Sequence, residues 1–386
     1  EEFQGAGHMS ELRTAPIKAF ALGIFDGPHA TPKEVNEGTI FLGIKNVTPD
    51  GRLDFSEIRH VSEQEFPKWT KRVTPQKDDV VFSYEATLHR YALIPEGFLG
   101  CLGRRMALVR PDLGKIVPRF LHYYFMSPAW RAVVEANTIS GATVDRIPIK
   151  KFPDFDVSIP SISKQRSISD TLSAYDDLIE NNRRRIHLLE QAARLLYKEW
   201  FVHLRFPGHE HVKIVDGVPE GWEKKKLGDV APLKYGKALK SDDRVPGPFP
   251  VYGSSGVVGT HTKPLVLGPT IIVGRKGNVG SVYWSPDDCH PIDTVYFIDS
   301  ERCSLFLYYA LKQMNFINTD VAVPGLNRDF AHSRSILIAD QKILRLFDET
   351  VTPLHQQMEL LKRQNASLAG ARDLLLPKLM NGEVAV

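Results

Sequence analysis

The sequence predicts an α+β protein: two globular mixed α/β blocks separated by two long coiled-coil helices, together a duplicated block-plus-helix unit. Three observations predict it. Apolar residues recur at heptad spacing in two long stretches, around 168–200 and 347–379. The segments outside them alternate short β-like runs with Pro, Gly and Asp turns. The two heptads also superpose with a shift of 179 residues, Tyr175 falling on Leu354 and Leu196 on Leu375. A repeat that long is a duplicated unit rather than a solenoid.

Residues 1–9 read as an expression scar ahead of the first block and carry no fold information. The first block, residues 10–160, contains the runs "TIFLGI", "DDVVFSY" and "RYALI" and one helical stretch, "PRFLHYYFMSPAWRAVVEA". The first long helix, 161–204, places Ile168, Leu172, Tyr175, Ile179, Asn182, Ile186, Leu189, Ala193, Leu196 and Trp200 on one stripe, without Gly or Pro, and stops before Pro207-Gly208. Tyr197, Trp200 and Phe201 at its end read as core that seals the helix against a block. The second block, 205–339, has "PFPVYG", "TIIVG", "SVYW" and "TVYFI", with the helical stretch "SLFLYYALKQM". In the second long helix, 340–386, the stripe is Phe347, Val351, Leu354, Met358, Leu361, Asn365, Leu368, Arg372, Leu375 and Leu379, closed by Pro377 and Asn381-Gly382.

A helix of about 36 residues is on the order of 55 Å long and cannot bury its own stripe. The expected seam therefore joins Ile168, Leu172, Tyr175, Ile179, Ile186, Leu189 and Leu196 to Val351, Leu354, Met358, Leu361, Leu368 and Leu375. Heptads alone do not fix direction, but a duplicated unit facing its copy has pseudo-twofold symmetry, which favours an antiparallel pair.

Composition narrows the function. The net charge of +3 excludes a basic, tail-like nucleic-acid binder, so any such contact comes from local patches. No apolar run approaches a membrane span. Three scattered cysteines, Cys101, Cys289 and Cys303, fit a reducing, cytoplasmic setting and offer neither a disulfide framework nor a zinc ribbon. His209 and His211 lack a third metal ligand, and no Walker loop, nucleophile elbow, acidic-x-Lys nuclease pattern or amino-methylation tetrapeptide occurs. The residues point to binding and not to catalysis.

The stretch "IVGRKGNVGSVYW" (272–284) has glycines three apart around a basic pair. A phosphate loop opens into a helix, but here a β-like run follows. The expectation is a hairpin whose tip presents Arg275, Lys276 and Asn278, residue types suited to phosphates or base edges in a groove. A solvated tip is the alternative reading of this stretch alone.

In their order, several stretches resemble the specificity subunits of type I DNA restriction–modification systems. They are "FDGPHATP" (25–32), "FLGIKNV" (41–47), "DFSEIRHVS" (54–62), "ISGATVDRIPI" (139–149), "LIENNRRRIHLLEQAARLLYKEWF" (178–201), "RFPGHE" (205–210), "FPVYGSSGVVG" (249–259), "VPGLNRDF" (323–330) and "LAGARDLLLPKLMNGEV". The resemblance implies two target recognition domains, similar in fold to the DNA-recognition domain of adenine-N6 methyltransferases. Each would read half of a bipartite, asymmetric site in double-stranded DNA, with the paired helices as the ruler. It also implies two modification (methyltransferase) subunits and restriction (motor and nuclease) subunits as partners. S-adenosylmethionine, ATP and Mg²⁺ would sit on those partners, with no catalysis or cofactor in this chain. The residues expected at DNA are Lys45, Asn46, Arg104, Arg105, Thr143 and Arg146 in the first domain. In the second they are Lys234, Tyr235, Lys237, Arg275, Lys276, Asn278, Asn327 and Arg328. The competing reading is an assembly adaptor without sequence-specific DNA binding, which would lack the steep salt dependence of phosphate contacts.

If the helices are the ruler, inserting four residues between Ile179 and Ile186 changes the gap between half-sites and leaves their sequences intact. Selection of preferred duplexes by the insertion variant checks this, and altered half-sites would refute it.

Overall fold

The computed structural model describes residues 12–141, 144–316 and 325–385. It divides into two compact units: the chain up to Asn181 together with Gln364 onward, and Asn182–Arg363.

Among its described residues the first unit has nine strands: β1 (Arg13–Pro16), β2 (Ala21–Asp26), β3 (Thr39–Leu42), β4 (Arg59–Val61), β5 (Val80–Ser83), β6 (Tyr91–Leu93), β7 (Gly100–Leu102), β8 (Met106–Pro111) and β9 (Asp156–Ile159). They form a β1–β9 pair, a four-stranded sheet in the order β2-β8-β5-β6 and a three-stranded sheet β4-β3-β7 with β3 parallel to β7. β5 is buried along its whole length, as a central strand covered on both faces must be. Its Phe82 stacks on Phe152 at 4.6 Å, beside Phe125 stacked on Trp130 at 4.6 Å. The helical stretch expected as one piece is two helices, Pro118–Met126 and Pro128–Asn137. Pro128 breaks the first, and the Ser127 hydroxyl caps the second by accepting from Trp130 N.

The second unit opens with a small hairpin, β10 (Ile214–Val215) and β11 (Val218–Pro219). Then come β12 (Glu223–Lys226), β13 (Lys234–Tyr235), β14 (Phe249–Gly253), β15 (Gly256–His261), β16 (Thr270–Gly274), β17 (Val282–Ser285), β18 (His290–Pro291), β19 (Val295–Ile298) and β20 (Ser335–Ile338). They build a β12–β20 pair, a sheet β13-β19-β16-β17 and a sheet β15-β14-β18 with β14 parallel to β18. Strand for strand this is the first unit again, and the helix Leu305–Gln313 stands where Pro118–Met126 stood. The duplication read from the heptads extends to every sheet but the small β10–β11 hairpin.

The long helices are Ile162–Tyr197 and Gln341–Met380. In each unit the portions present run antiparallel. In the first, Asn365 Nδ2 donates to Ile179 O (3.3 Å) and Arg372 Nη1 to Asp176 Oδ1 (2.5 Å), while Ile168 and Leu172 share a core with Leu376 and Leu379. In the second, the Tyr197 ring meets Phe347 at 6.1 Å, and Ala193 and Val351 are fully buried in one cluster. Of the expected seam, Ile168, Leu172, Ile179, Val351, Met358 and Leu361 are buried. Tyr175, Ile186, Leu189, Leu196, Leu354, Leu368 and Leu375 are half-buried, at the margins of the stripe.

Both long helices end where the stop signals stand, the first before Pro207-Gly208 and the second before Asn381-Gly382. The first long helix passes into a π-helical turn, Lys198–Val202, which lets the adjacent Trp200 and Phe201 both bury. The second runs through Pro353 and Pro377 and stops only at Met380, with Gly382 left-handed at φ 79°. A proline inside a helix removes one backbone bond, and here burial of the stripe outweighs that loss.

Two histidines are buried neutral. His355 pairs its Nε2 with the Tyr309 hydroxyl at 2.8 Å, and burial, then Lys362, push its pKa down to about 4. Burial pushes His122 down to about 4 as well. Unfolded, both titrate near 6.5. Stability is therefore intact above pH about 6.5 and falls between about 6.5 and 4, where only the unfolded chain takes up protons. Each histidine accounts for on the order of 3 kcal/mol of that fall. Urea unfolding across this window checks it, and His355→Gln is expected to flatten the dependence.

Candidate nucleic-acid interface

In the second unit the glycine-rich stretch is the turn between β16 and β17, antiparallel strands in register Val273 to Val282. Gly277 and Gly280 take left-handed φ of 75° and 77°, which is what the glycines supply. A strand follows the turn, so no helix N-terminus is aimed at an anion and this is not a nucleotide loop. The Arg275 guanidinium lies 5.0 Å from the Tyr235 ring and 5.7 Å from that of Tyr296, and Nη1 donates to Asp293 O at 3.2 Å. Arg328 lies 5.0 Å from the same Tyr235 ring, with its buried Nε unpartnered among the described residues. Tyr235, on edge strand β13, is 49% exposed. One half-exposed ring thus holds two guanidiniums brought from a hairpin and from the start of the helix Arg328–Ser333.

The other expected residues of this unit gather around that centre. Lys237, Lys276 and Asn278 are exposed, and Lys276 bridges Gly325 through its backbone. Lys234 is exposed but ion-paired with Asp299. Asn327 caps the helix, its Oδ1 accepting from Asp329 N (2.8 Å) and Phe330 N (3.0 Å), so its acceptor is committed to the fold.

In the first unit Lys45, Arg104 and Arg105 line a groove of about 470 Å³ with Arg59, Glu34 and Glu57. Lys45 is exposed 4.0 Å from Glu57, and Arg105 donates to Glu85 at 3.1 Å. Arg146 is exposed, and Thr143 lies outside the described residues. Asn46 must be corrected. It is 5% exposed, its Nδ2 donates to Asp54 O and Glu57 O, both at 3.0 Å, and its Oδ1 accepts from Gly43 N at 3.0 Å. Both its amide hydrogens and one acceptor position brace its own loop, so its donors are committed to the fold.

The duplication gives a better guide to the first unit than exposed charge does. Gly27 N donates to Met106 O (2.8 Å) as Gly236 N does to Val295 O (3.2 Å). Ile147 N donates to Tyr84 O (2.7 Å) as Leu326 N does to Arg275 O (2.8 Å). Tyr84 N meets Arg105 O (3.1 Å) as Arg275 N meets Thr294 O (2.9 Å). By this register Asp26 occupies the place of Tyr235, Tyr84 that of Arg275, Glu85 that of Lys276 and Arg104 that of Asp293. Asp26 Oδ1 takes Arg72 Nη1 at 2.6 Å, and its Oδ2 lies 2.9 Å from His29 Nε2. The Tyr84 hydroxyl donates to Arg104 O at 2.9 Å, and burial, then Asp26, push its pKa up to about 12, so it stays a neutral donor. Sequence reading missed Asp26, His29, Arg72 and Tyr84. Their stretches carry no glycine-rich turn, and the partners lie far apart in the chain. The available signal was the repeat itself.

Both centres depend on one close approach of backbones. A Cβ on Gly236 would stand 2.1 Å from Ile292 O, and on its counterpart Gly27 2.4 Å from Gly103 O. Among the described residues no group of His, Cys, Asp and Glu is arranged for a metal, and no helix is long and apolar enough to cross a membrane.

A scaffold built twice, with polar and aromatic side chains displayed at the same strand ends and with antiparallel portions of long helices in each copy, is a double binding module. Comparison places it more narrowly. The model of the type I restriction modification DNA specificity domain matches residues 32–191 and again 219–338, and the chain belongs to that family. The type I restriction enzyme MjaIX specificity subunit of Methanocaldococcus jannaschii is 25% identical over 402 residues, covering 94% of this chain and 87% of that one. The HindI specificity subunit of Haemophilus influenzae is 24% identical over 373 residues, covering 72% and 80%. The crystal structure of a type I restriction–modification S subunit from M. genitalium shares the fold, with a TM-score of 0.56 at 19% identity over 97% of both chains.

Gly236→Ala is expected to cost roughly 1–3 kcal/mol through the clash with Ile292 O. Gly370→Ala, in the second long helix with nothing within 4 Å, is expected to add about 0.5–1 kcal/mol. Thermal melts of the two variants check both signs.

Proposed function

We propose that this chain is the DNA sequence-recognition subunit of a type I restriction–modification complex. The observation that carries the proposal is the double reader: one scaffold, present twice in a chain of the specificity family, with different side chains at the same two strand ends. Each reader contacts one half of a bipartite site in double-stranded DNA. Lysines and arginines at its rim fix position on the phosphates, and side chains at its centre identify bases. In the second reader Arg275 and Arg328 are fork-shaped donors packed over Tyr235, suited to the O6 and N7 acceptors of guanine. The paired helices set the gap between half-sites and dock two modification subunits, which restriction subunits join. Methylation and cleavage, with their S-adenosylmethionine, ATP and Mg²⁺, belong to those partners, and the complex works in the cytoplasm.

Co-assembly with the methyltransferase subunit and selection from a randomised duplex pool is expected to return two short motifs separated by a fixed gap. Affinity for the recovered site should fall steeply with salt, with a slope of about −0.9 per phosphate neutralised. A formed complex that returns no motif would sink the proposal in favour of an assembly adaptor.

A further inference from the structure

The two readers have the same skeleton and opposite chemistry at its centre. In the second, the strand-end position holds Tyr235 beneath two guanidiniums, and the hairpin continues with Lys276. In the first, the same positions hold Asp26 and Glu85, and the cations have moved to neighbouring segments as Arg72, Arg104 and Arg105. The correspondence reaches side chains: Tyr84 donates to the carbonyl of Arg104 as its counterpart Arg275 donates to that of Asp293.

We propose that the first reader identifies its half-site through the Asp26 carboxylate, which accepts a hydrogen bond from the exocyclic amino group of an adenine or cytosine in the major groove. This rests on the DNA-reading function proposed above. A carboxylate is the poorest group to set against phosphates, and its gain comes at a base edge, where adenine N6 and cytosine N4 offer donors. Asp26 is equipped for that edge. Its side chain is 21% exposed, and Arg72 and His29 each hold one oxygen, which fixes the carboxylate's direction and leaves each oxygen a further lone pair. Arg72 is itself 49% exposed, so a guanidinium cation stands beside the carboxylate and offsets phosphate repulsion. The two halves of the site are thus read by different means: an acceptor in the first reader, donors in the second.

The test is duplex selection by the complex assembled with wild-type chain, with Asp26→Ala and with Arg275→Ala, each first checked by thermal melting. Asp26→Ala should relax preference at one or two adjacent positions of one half-site by about tenfold or more and leave the other half unchanged. Arg275→Ala should relax the other half. Should Asp26→Ala fail to fold, His29→Ala, on the exposed side of the cluster, is expected to relax the same positions through loss of the carboxylate's orientation. A wild-type bipartite motif retained in full by the folded Asp26 or His29 variant would overturn the assignment and leave the DNA-reading function standing. Relaxation in the half that Arg275→Ala affects would also overturn it. A wild-type complex that selects no motif removes the function and the assignment together.

Discussion

Two helices of 36 and 40 residues each carry an apolar stripe that no single helix can cover, and this requirement organises the rest of the molecule. In both units the stripes close on each other antiparallel and then on the body of the unit, as Leu172 does with Leu376 and Tyr197 with Phe347. The pairing is not purely apolar. Arg372 occupies a stripe position at 8% side-chain exposure and is held by Asp176, which also accepts from the Tyr123 hydroxyl. Arg372 also donates to Asp373, and removing Asp176 leaves this guanidinium one carboxylate short, which destabilises the seam. A slipped register would incur the same loss, so the polar positions of the seam fix an alignment that leucines alone tolerate shifting.

On that frame the chain builds one scaffold twice and varies what it displays. The conserved part between the copies is backbone: the same parallel strand pair, the same donors to the same carbonyls, and a glycine at the same close approach. Side chains at the displayed strand ends differ in charge, Asp26 against the uncharged Tyr235 and Glu85 against Lys276. This division suits a protein whose two halves must recognise different sequences from one geometry.

Much of this was legible from residue order. Heptad spacing located both long helices, and the shift between the heptads exposed the duplication. The glycines of 274–280, followed by a β-like run, identified a hairpin tip and with it Arg275. Other features were misread for local reasons. Pro377, read together with Asn381-Gly382 as closing the second long helix, lies inside it, because the helix continues to Met380 where its stripe is buried. Asn46 looks like an exposed loop amide, but the carbonyls of Asp54 and Glu57 fold back onto it.

By itself the sequence determined periodicity, and with it the helices, the strand-rich blocks, the repeat and the placing of charge outside the core. These follow from local rules, the 3.6-residue turn and the two-residue pleat, that act over a few neighbours. Which polar side chains are committed to the fold, and which are offered to a partner, only the tertiary structure decided. That choice depends on partners distant in the chain, 46 residues for Asp26 and Arg72 and 196 for Asp176 and Arg372, and a hydrogen bond forms only where folding brings both ends within about 3 Å.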